Sequence, residues 1–442
     1  MAATQAPSNE QVYKVPLKVL VDRSENKVVF AEASKDFVDV LLSFLALPLG
    51  TIARLVAKES NIPPVKLGSL SSLYESVSNL EEEHLWTPTC KEMLLHPRSS
   101  MESYYQHLKL NIDDTDPTNY FLCENLECSR KCSCGKLMNR IVYPENITLE
   151  NGFVKETATF IICDDLSVLP NILVTSLNLL QKLGIKDMDA IEEQTVDISK
   201  REVVDLLKLS LISKSPLTDF IFEKKPRVYD LNPTNESWFV RGEESSDESR
   251  RIVVRALEDF ADFLFSFLTL PLGGVLHMLE GNSSLGCIDK LHKSISELSP
   301  DRYLRSQILK EELANPKCAP QFAISGQILP IGVVSLPVYY CNTFLDGKIH
   351  NLVVSTSIRL CCRFAKGPST FMVTDDLLVT PMSSISAVSY LRSHVPLSDL
   401  EERAISVCVK EGLAILKASL TSTSALSKVL QQFTKITVLE NW

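Results

Sequence analysis

Four cysteines lie close together in the segment CENLECSRKCSCGK, which begins at Cys123. Structural zinc takes four Cys or His ligands in a tetrahedral arrangement. The cluster Cys123, Cys128, Cys132 and Cys134 is therefore a candidate metal site, and one structural zinc is the only cofactor that the sequence suggests. Zinc ribbons usually pair their ligands as C-x2-4-C, whereas a single residue separates Cys132 from Cys134. Free buried thiols and a redox or catalytic use of the cysteines stay open as alternatives.

Two acidic pairs, Asp164-Asp165 and Asp375-Asp376, follow short apolar runs. Paired carboxylates can bind Mg²⁺ or share a proton. Adjacent residues of a strand point to opposite faces, so we interpret both pairs as turns at strand ends. The chain contains no HExxH, GxSxG, GxGxxG or GxxxxGK[ST] motif. The sequence therefore indicates no catalytic and no cofactor-binding residue.

Basic residues surround the cysteine cluster: Arg130, Lys131, Lys136 and Arg140. A zinc knuckle with basic residues and stacking aromatics can contact single-stranded nucleic acid. However, the whole chain has a net charge of −10, which opposes a general affinity for a polyanion. A zinc-knuckle nucleic-acid binder is thus kept only as a disfavoured alternative.

One segment of the chain occurs twice. Phe37 to Gly50 reads FVDVLLSFLALPLG and Phe260 to Gly273 reads FADFLFSFLTLPLG, so ten of the fourteen positions are identical at an offset of 223. A second block recurs in the same order, as FIICDDLSVLP from Phe160 and FMVTDDLLVTP from Phe371. These repeats predict two homologous tandem domains in the α+β class, each a small mixed or antiparallel sheet flanked by helices. A pseudo-twofold packing with the FSFLTLPLG helices at the interface is our hypothesis for their arrangement.

The predicted domain bounds are 12–222 for the first repeat, 223–236 for a linker and 237–442 for the second repeat. The cysteine cluster falls in the first repeat. In the second, Cys341 aligns with Cys123, whereas Asp346, His350 and Leu352 fall where the other three thiols would be. The cluster is therefore degenerate there, and a metal cannot be a requirement of a shared fold.

Alternating runs at 17–21 and 28–33 predict a β-hairpin, and a helix is expected from Lys35, with Ser34 as its N-cap, to a break at Pro48. A third helix follows with leucines at helical spacing, and residues 87–116 are interpreted as an irregular connection. The remaining apolar patterns predict strands at 137–143, 153–163, 237–241, 251–256 and 371–374, and helices at 171–183, 200–211, 383–393 and 402–420.

The N-terminal sequence lacks the apolar core of a secretory signal, and the longest apolar runs are shorter than the roughly 20 residues of a membrane span. We therefore expect a soluble cytoplasmic protein with reduced thiols and no membrane partner.

The segments LKVLVDRSENKVVFAEASKDFVDVLLSFLALPLGTIARL, GSLSSLYESV, CSCGKLM and VTDDLLVTPMSSIS together resemble a plant family known as domain of unknown function 674. The resemblance covers nearly the whole chain and implies a tandem-repeat plant protein with no assigned reaction. It carries no catalytic residues over to this chain. The family's first copy often has cysteine pairs that end in a CxxCG-like motif, from which Cys132-Ser133-Cys134 departs.

The favoured interpretation is a non-enzymatic interaction or regulatory protein on a duplicated scaffold, with an unidentified protein partner. The principal alternative is an enzyme with a ligand site in the cleft between the repeats, since ligands often bind at domain interfaces.

Overall fold

The computed structural model describes residues 13–115, 120–123, 138–142, 152–185, 190–223, 254–334, 340–345, 348–353, 355–356, 363–382 and 405–433. The strands are β1 (Lys14–Asp22), β2 (Lys27–Ala33), β3 (Tyr120–Cys123), β4 (Met138–Val142), β5 (Phe160–Cys163), β6 (Val168–Pro170), β7 (Ile191–Ser199), β8 (Val254–Leu257), β9 (Tyr340–Leu345), β10 (Lys348–Val353), β11 (Ser355–Thr356), β12 (Thr370–Val373) and β13 (Val379–Pro381).

The α-helices are α1 (Lys35–Ala46), α2 (Leu49–Val56), α3 (Gly68–Asn79), α4 (Pro88–Leu95), α5 (Glu102–Tyr105), α6 (Leu173–Lys182), α7 (Lys200–Ile212), α8 (Pro216–Ile221), α9 (Glu258–Ser266), α10 (Leu272–Met278), α11 (Gly286–Glu297), α12 (Gln307–Ala314), α13 (Val409–Thr421) and α14 (Ala425–Phe433). Helices and antiparallel strands together confirm the α+β class. Residues 12–222 are called the first half of the chain, and residues 237–442 are called the second half.

The main sheet of the first half is antiparallel, with strand order β6-β5-β2-β1-β7. The predicted hairpin forms part of its middle, and β1 buries every second residue, as a strand with one covered face does. Strand β7 was not predicted, because its sequence IEEQTVDIS is mostly polar. It pairs with β1 at the edge of the sheet, where polar side chains are tolerated.

Strands β8, β12 and β13 of the second half form a three-stranded sheet in the order β13-β12-β8, whereas β9 pairs with β10, and β11 pairs with β3 of the first half. The register of the three-stranded sheet matches that of the first half: Ala33 pairs with Phe160, and Ala256 pairs with Phe371. The predicted strand at 237–241 and the predicted helix at 383–393 lie outside the described residues. Helix α13 begins at Val409, later than the predicted start at residue 402.

The two LPLG segments break their helices as predicted. Helix α1 ends at Ala46 and α2 begins at Leu49, directly after Pro48. In the second half, α9 continues into a short 3-10 turn and α10 begins directly after Pro271. The residue before each proline is extended, with ψ of 136° at Leu47 and 129° at Leu270, because proline disfavours the helical conformation there.

These two breaks contact each other. The Leu49 N–H donates to the Leu270 carbonyl at 2.9 Å, and the Leu272 N–H donates to the Leu47 carbonyl, also at 2.9 Å. The glycine after each break allows this approach. A Cβ on Gly50 would lie 2.9 Å from the carbonyl oxygen of Leu268. One on Gly273 would lie 3.0 Å from that of Leu45.

Elements of each half also pack into the other half. The Ser69 N–H of α3 donates to the Ser422 carbonyl after α13 at 2.8 Å, while the Cys287 thiol of α11 donates to the Ser213 carbonyl after α7. Likewise the Val379 N–H of β13 donates to the Ser76 hydroxyl on α3, and the Val168 N–H of β6 donates to the Ser294 hydroxyl on α11. Hence α3 lies on the second half and α11 lies on the first.

The interpretation of residues 87–116 as irregular was wrong, because α4 and α5 form there. Pro88 starts α4 as its first residue, a position where the missing N–H costs nothing. A high proline and serine content therefore marked the ends of short helices rather than an absence of helix.

Buried apolar side chains from both halves form one continuous core, from Val15 on β1 to Leu430 on α14. Among the described residues, no helix is both long enough and apolar enough to cross a bilayer.

Candidate functional site

The structure reaches only the edge of the cysteine cluster. Cys123 is the last residue of β3, and Cys128, Cys132 and Cys134 lie outside the described residues, so zinc binding stays a prediction. Residues 124–137 separate β3 from its partner β4, whereas only Asp346 and Gly347 separate β9 from β10. His350 and Leu352 belong to β10, so they are strand residues and not counterparts of thiols between two strands.

Three described cysteines outside the cluster do not offer a reactive thiol. Burial raises the pKa of the Cys163, Cys287 and Cys318 thiols to about 12. A thiol is nucleophilic as the thiolate, so these three behave as apolar core residues at neutral pH.

The acidic pairs form turns after β5 and β12, as interpreted from the sequence. Asp164 accepts hydrogen bonds from the N–H and the hydroxyl of Thr218, each at 2.8 Å. Asp375 accepts one from the Ser427 N–H at 2.7 Å. In both turns the first aspartate anchors the start of a helix, α8 or α14, and does not face a partner carboxylate.

A group with the residue types of a metal site is formed by Glu81, Glu83 and His84, whose ligand atoms lie within 4.8 Å of one another. Both glutamates are exposed. Exposed acidic groups are common without a bound ion, so this group carries no functional argument.

The duplicated helix contains a buried aspartate in each half, Asp39 on α1 and Asp262 on α9. Oδ1 of Asp39 accepts the N–H groups of Phe153 and Val154 at 2.6 and 2.9 Å. Oδ1 of Asp262 accepts those of Phe364 and Ala365 at 2.8 and 2.6 Å. Each carboxylate thus fixes the chain just before β5 or β12.

The second oxygen of Asp39 is enclosed. Nζ of Lys35 lies 2.6 Å from Oδ2, one helical turn away, and Asp39 is 0% exposed. Gly152 lies against the same oxygen, with φ of +93°, and a Cβ there would collide with the carboxylate. Asp39 is therefore a paired structural carboxylate.

The surroundings of Asp262 differ at both of these positions. Glu258 stands where Lys35 stands, and Arg363 stands where Gly152 stands. The Arg363 guanidinium is 3.0 Å from Asp259. No described residue hydrogen-bonds to Oδ2 of Asp262, although this side chain is only 5% exposed. Burial raises the pKa of its carboxyl to about 6, against the lowering effect of the two N–H donors and of Arg363.

Asp262 lines a cavity of about 560 Å³ in the second half. The size is within the usual range for small-molecule sites. Most of the wall is apolar, and its polar side chains are Arg255, Asp259, Asp262, Ser325 and Arg363. The apolar side chains come from β8, α9, the 324–328 loop, the chain before α13, and helices α13 and α14: Val254, Ala256, Leu257, Phe260, Phe263, Ile324, Ile328, Ile405, Val407, Ile415 and Leu430. The enzyme alternative placed a site between the halves, whereas this cavity lies within one half.

Sequence reasoning missed Asp262, although a signal was present. An ionisable residue recurs in the middle of an otherwise apolar helix, at the third position of FVDVLL and FADFLF. Charged residues are almost never fully buried unless paired, so the change from Lys35 to Glu258 one turn earlier was the distinguishing observation.

A protein-family model described as "Protein of unknown function (DUF674)" matches residues 11–410. The chain belongs to the DUF674 family. No curated protein and no solved structure matches this DUF674 chain. The expected family is thus confirmed.

Proposed function

We propose that this DUF674 chain is a non-enzymatic binding protein and that the cavity beside Asp262 is its ligand site. The duplicated scaffold then has a division of labour, in which the first half supports the structure and the second half presents the site. This interpretation keeps the interaction or regulatory role expected from the sequence and gives it a location.

The observation that carries the proposal is Oδ2 of Asp262, a carboxylate oxygen at the wall of an apolar cavity to which no described residue donates a hydrogen bond. Burial partly removes this carboxyl from water, which disfavours its charged form. A ligand that offers a hydrogen-bond donor to this oxygen would restore the missing interaction.

The rigid attachment of Asp262 supports a binding role. Its other oxygen is held by two backbone N–H groups, so the free oxygen has a fixed direction. Preorganised polar groups lose little conformational freedom when a ligand binds, which favours affinity and orientation.

The described lining of the cavity favours binding over catalysis. It contains no His, Cys, Lys or Tyr to serve as a general base or activated nucleophile beside Asp262. Its one hydroxyl is that of Ser325. An enzyme at this site would have to work with the Asp262 carboxylate, Arg255 and the Arg363–Asp259 ion pair.

The test is a ligand screen by thermal shift on the wild-type chain and on Ile328→Trp. Ile328 is partly buried in the cavity wall, so an indole there fills the space. Ile308→Trp is the matched control, because Ile308 is 67% exposed and does not line the cavity. We expect compounds that stabilise the wild type and the control but not Ile328→Trp. Compounds that stabilise all three equally would contradict the proposal.

A further inference from the structure

The first half shows which chemical group complements the carboxylate of Asp262. At the equivalent position, Oδ2 of Asp39 is paired with an alkylammonium, the Nζ of Lys35 at 2.6 Å. In both aspartates, Oδ1 accepts hydrogen bonds from two backbone N–H groups. The two sites therefore differ chiefly in what meets Oδ2.

In the second half the chain itself does not supply this ammonium from the equivalent position, because Glu258 replaces Lys35. Two arginines belong to the cavity wall, Arg255 and Arg363, and the Arg363 guanidinium lies 3.0 Å from Asp259. Its positive charge and the negative charge of Asp259 act on Asp262 with opposite signs. The carboxylate is thus left as the acceptor that a cationic ligand group would meet.

The rest of the cavity indicates what should be attached to that cation. The apolar lining includes Phe260, Phe263, Ile415 and Leu430, together with Ile324 and Ile328 of the 324–328 loop. Burying the hydrocarbon part of a ligand against such a lining favours binding by roughly 25 cal/mol per Å² of apolar surface removed from water. The volume of about 560 Å³ suits a small molecule.

Resting on the function proposed above, we propose that the ligand is a small primary amine with an apolar body, whose ammonium group pairs with Oδ2 of Asp262. The ligand's ammonium takes the place that Lys35 occupies in the first half. Its hydrocarbon part fills the apolar cavity. Charge-assisted hydrogen bonds of this kind are about twice as strong as neutral ones.

The experiment is a ligand-observed NMR titration at pH 7.5 with three matched probes: hexylamine, hexanol and hexanoate. The proteins are wild type, Asp262→Asn, Glu258→Lys and the control Asp289→Asn. Asparagine keeps an oxygen for the two N–H donors, so the fold around it is retained. Glu258→Lys introduces the ammonium of the first half. Asp289 is a part-buried carboxylate bonded to Ser283 outside the cavity.

We expect hexylamine to bind wild type and Asp289→Asn about tenfold or more tightly than hexanol. Asp262→Asn and Glu258→Lys should reduce the amine's affinity to that of the alcohol, and hexanoate should bind most weakly. If hexanol binds wild type as tightly as hexylamine, the amine proposal is overturned while the binding function stands. The same holds if Asp262→Asn keeps the preference for the amine. If no probe binds and Ile328→Trp changes no compound's effect in the thermal screen, both proposals are overturned.

Discussion

The two halves place the same aspartate in the same backbone contacts and then treat its second oxygen differently. In the first half, Lys35 and Gly152 enclose it; in the second, Glu258 and Arg363 stand at those positions and a cavity opens beside it. The residues at two positions thus distinguish an enclosed carboxylate from one that faces a cavity. A duplicated scaffold can keep one copy for stability while the other changes.

The largest expected effect concerns zinc binding. The segment between β3 and β4 contains three cysteines, whereas the segment between β9 and β10 contains none. If the cysteines between β3 and β4 bind zinc, purified protein holds about one zinc per chain by elemental analysis, and Cys132→Ser with Cys134→Ser removes it. Structural zinc supplies about 10–16 kcal/mol of apparent binding energy, so the double variant should also unfold at a lower temperature. Cys408→Ser, at an exposed cysteine elsewhere, is the matched control. If the purified protein contains no zinc, the prediction of a metal site is wrong and the four cysteines are ordinary thiols.

Alanine substitutions at the two equivalent aspartates, Asp39 and Asp262, test directly how the two halves differ. Asp39→Ala removes the acceptor of two N–H groups and also breaks the buried ion pair with Lys35, which costs about 3–5 kcal/mol of unfolding free energy. Asp262→Ala removes the acceptor of two N–H groups and breaks no such ion pair, so its cost should be about 1–3 kcal/mol. Urea unfolding measures both. Equal losses would show that Lys35 adds nothing to the first site.

The contact between the LPLG segments predicts similar effects in both halves. Gly50→Ala and Gly273→Ala should each destabilise the chain by about 1–3 kcal/mol, because a methyl group would press against a backbone carbonyl of the other half. Gly286→Ala is the control, since no atom lies within 4 Å of a Cβ there. Thermal unfolding of the three variants tests this. A control that loses as much stability as the other two would contradict the explanation.

The smallest expected effect is a difference in pH dependence. The Asp262 carboxyl has a pKa of about 6 in the folded chain, above its ordinary value of 3.8. The folded state therefore holds its proton more tightly, and the resulting stability is full below pH 3.8 and lost as the pH rises through about 6. Between these values the unfolding free energy of Asp262→Asn should fall less than that of the wild type.

Asp114 in the first half should change stability with pH in the opposite direction. Burial alone would raise its pKa, but Lys58 and Arg54 lower it overall. Its stabilising contribution is present above the unfolded pKa and is lost as the pH falls through the folded value. Asp114→Asn should therefore reduce the loss of stability on acidification. Urea midpoints measured from pH 3.5 to pH 7 on both variants check the two signs, and parallel curves for all proteins would contradict both.

Much of the fold could be predicted because local patterns agree with the tertiary structure. The hairpin, the helices around each LPLG segment and the turns at the acidic pairs follow from alternation, proline and strand ends. Strand β7 and helices α4 and α5 could not be predicted in this way. Their polar or proline-bearing sequences take their structure from pairing with β1 or from packing on the core.

The site was harder to predict than the fold. Asp262 lies in the duplicated helix, where its apolar neighbours hide it, and its special character depends on Glu258, Arg363 and the cavity wall. These residues come from distant parts of the chain and meet only in three dimensions. The packing of α3 on the second half and of α11 on the first half could not be predicted from a local sequence pattern either.

The packing of α3 on the second half has a consequence during synthesis on the ribosome. Helix α3 is made early, yet the surface it covers on α13 and β13 is made only near the end of the chain. Until then its apolar side, with Leu70, Leu73 and Val77, has no second-half partner. Contacts of such long sequence separation form slowly, and exposed apolar surface in partly made chains favours aggregation. The first half therefore completes the packing of α3 only after α13 and β13 have been made.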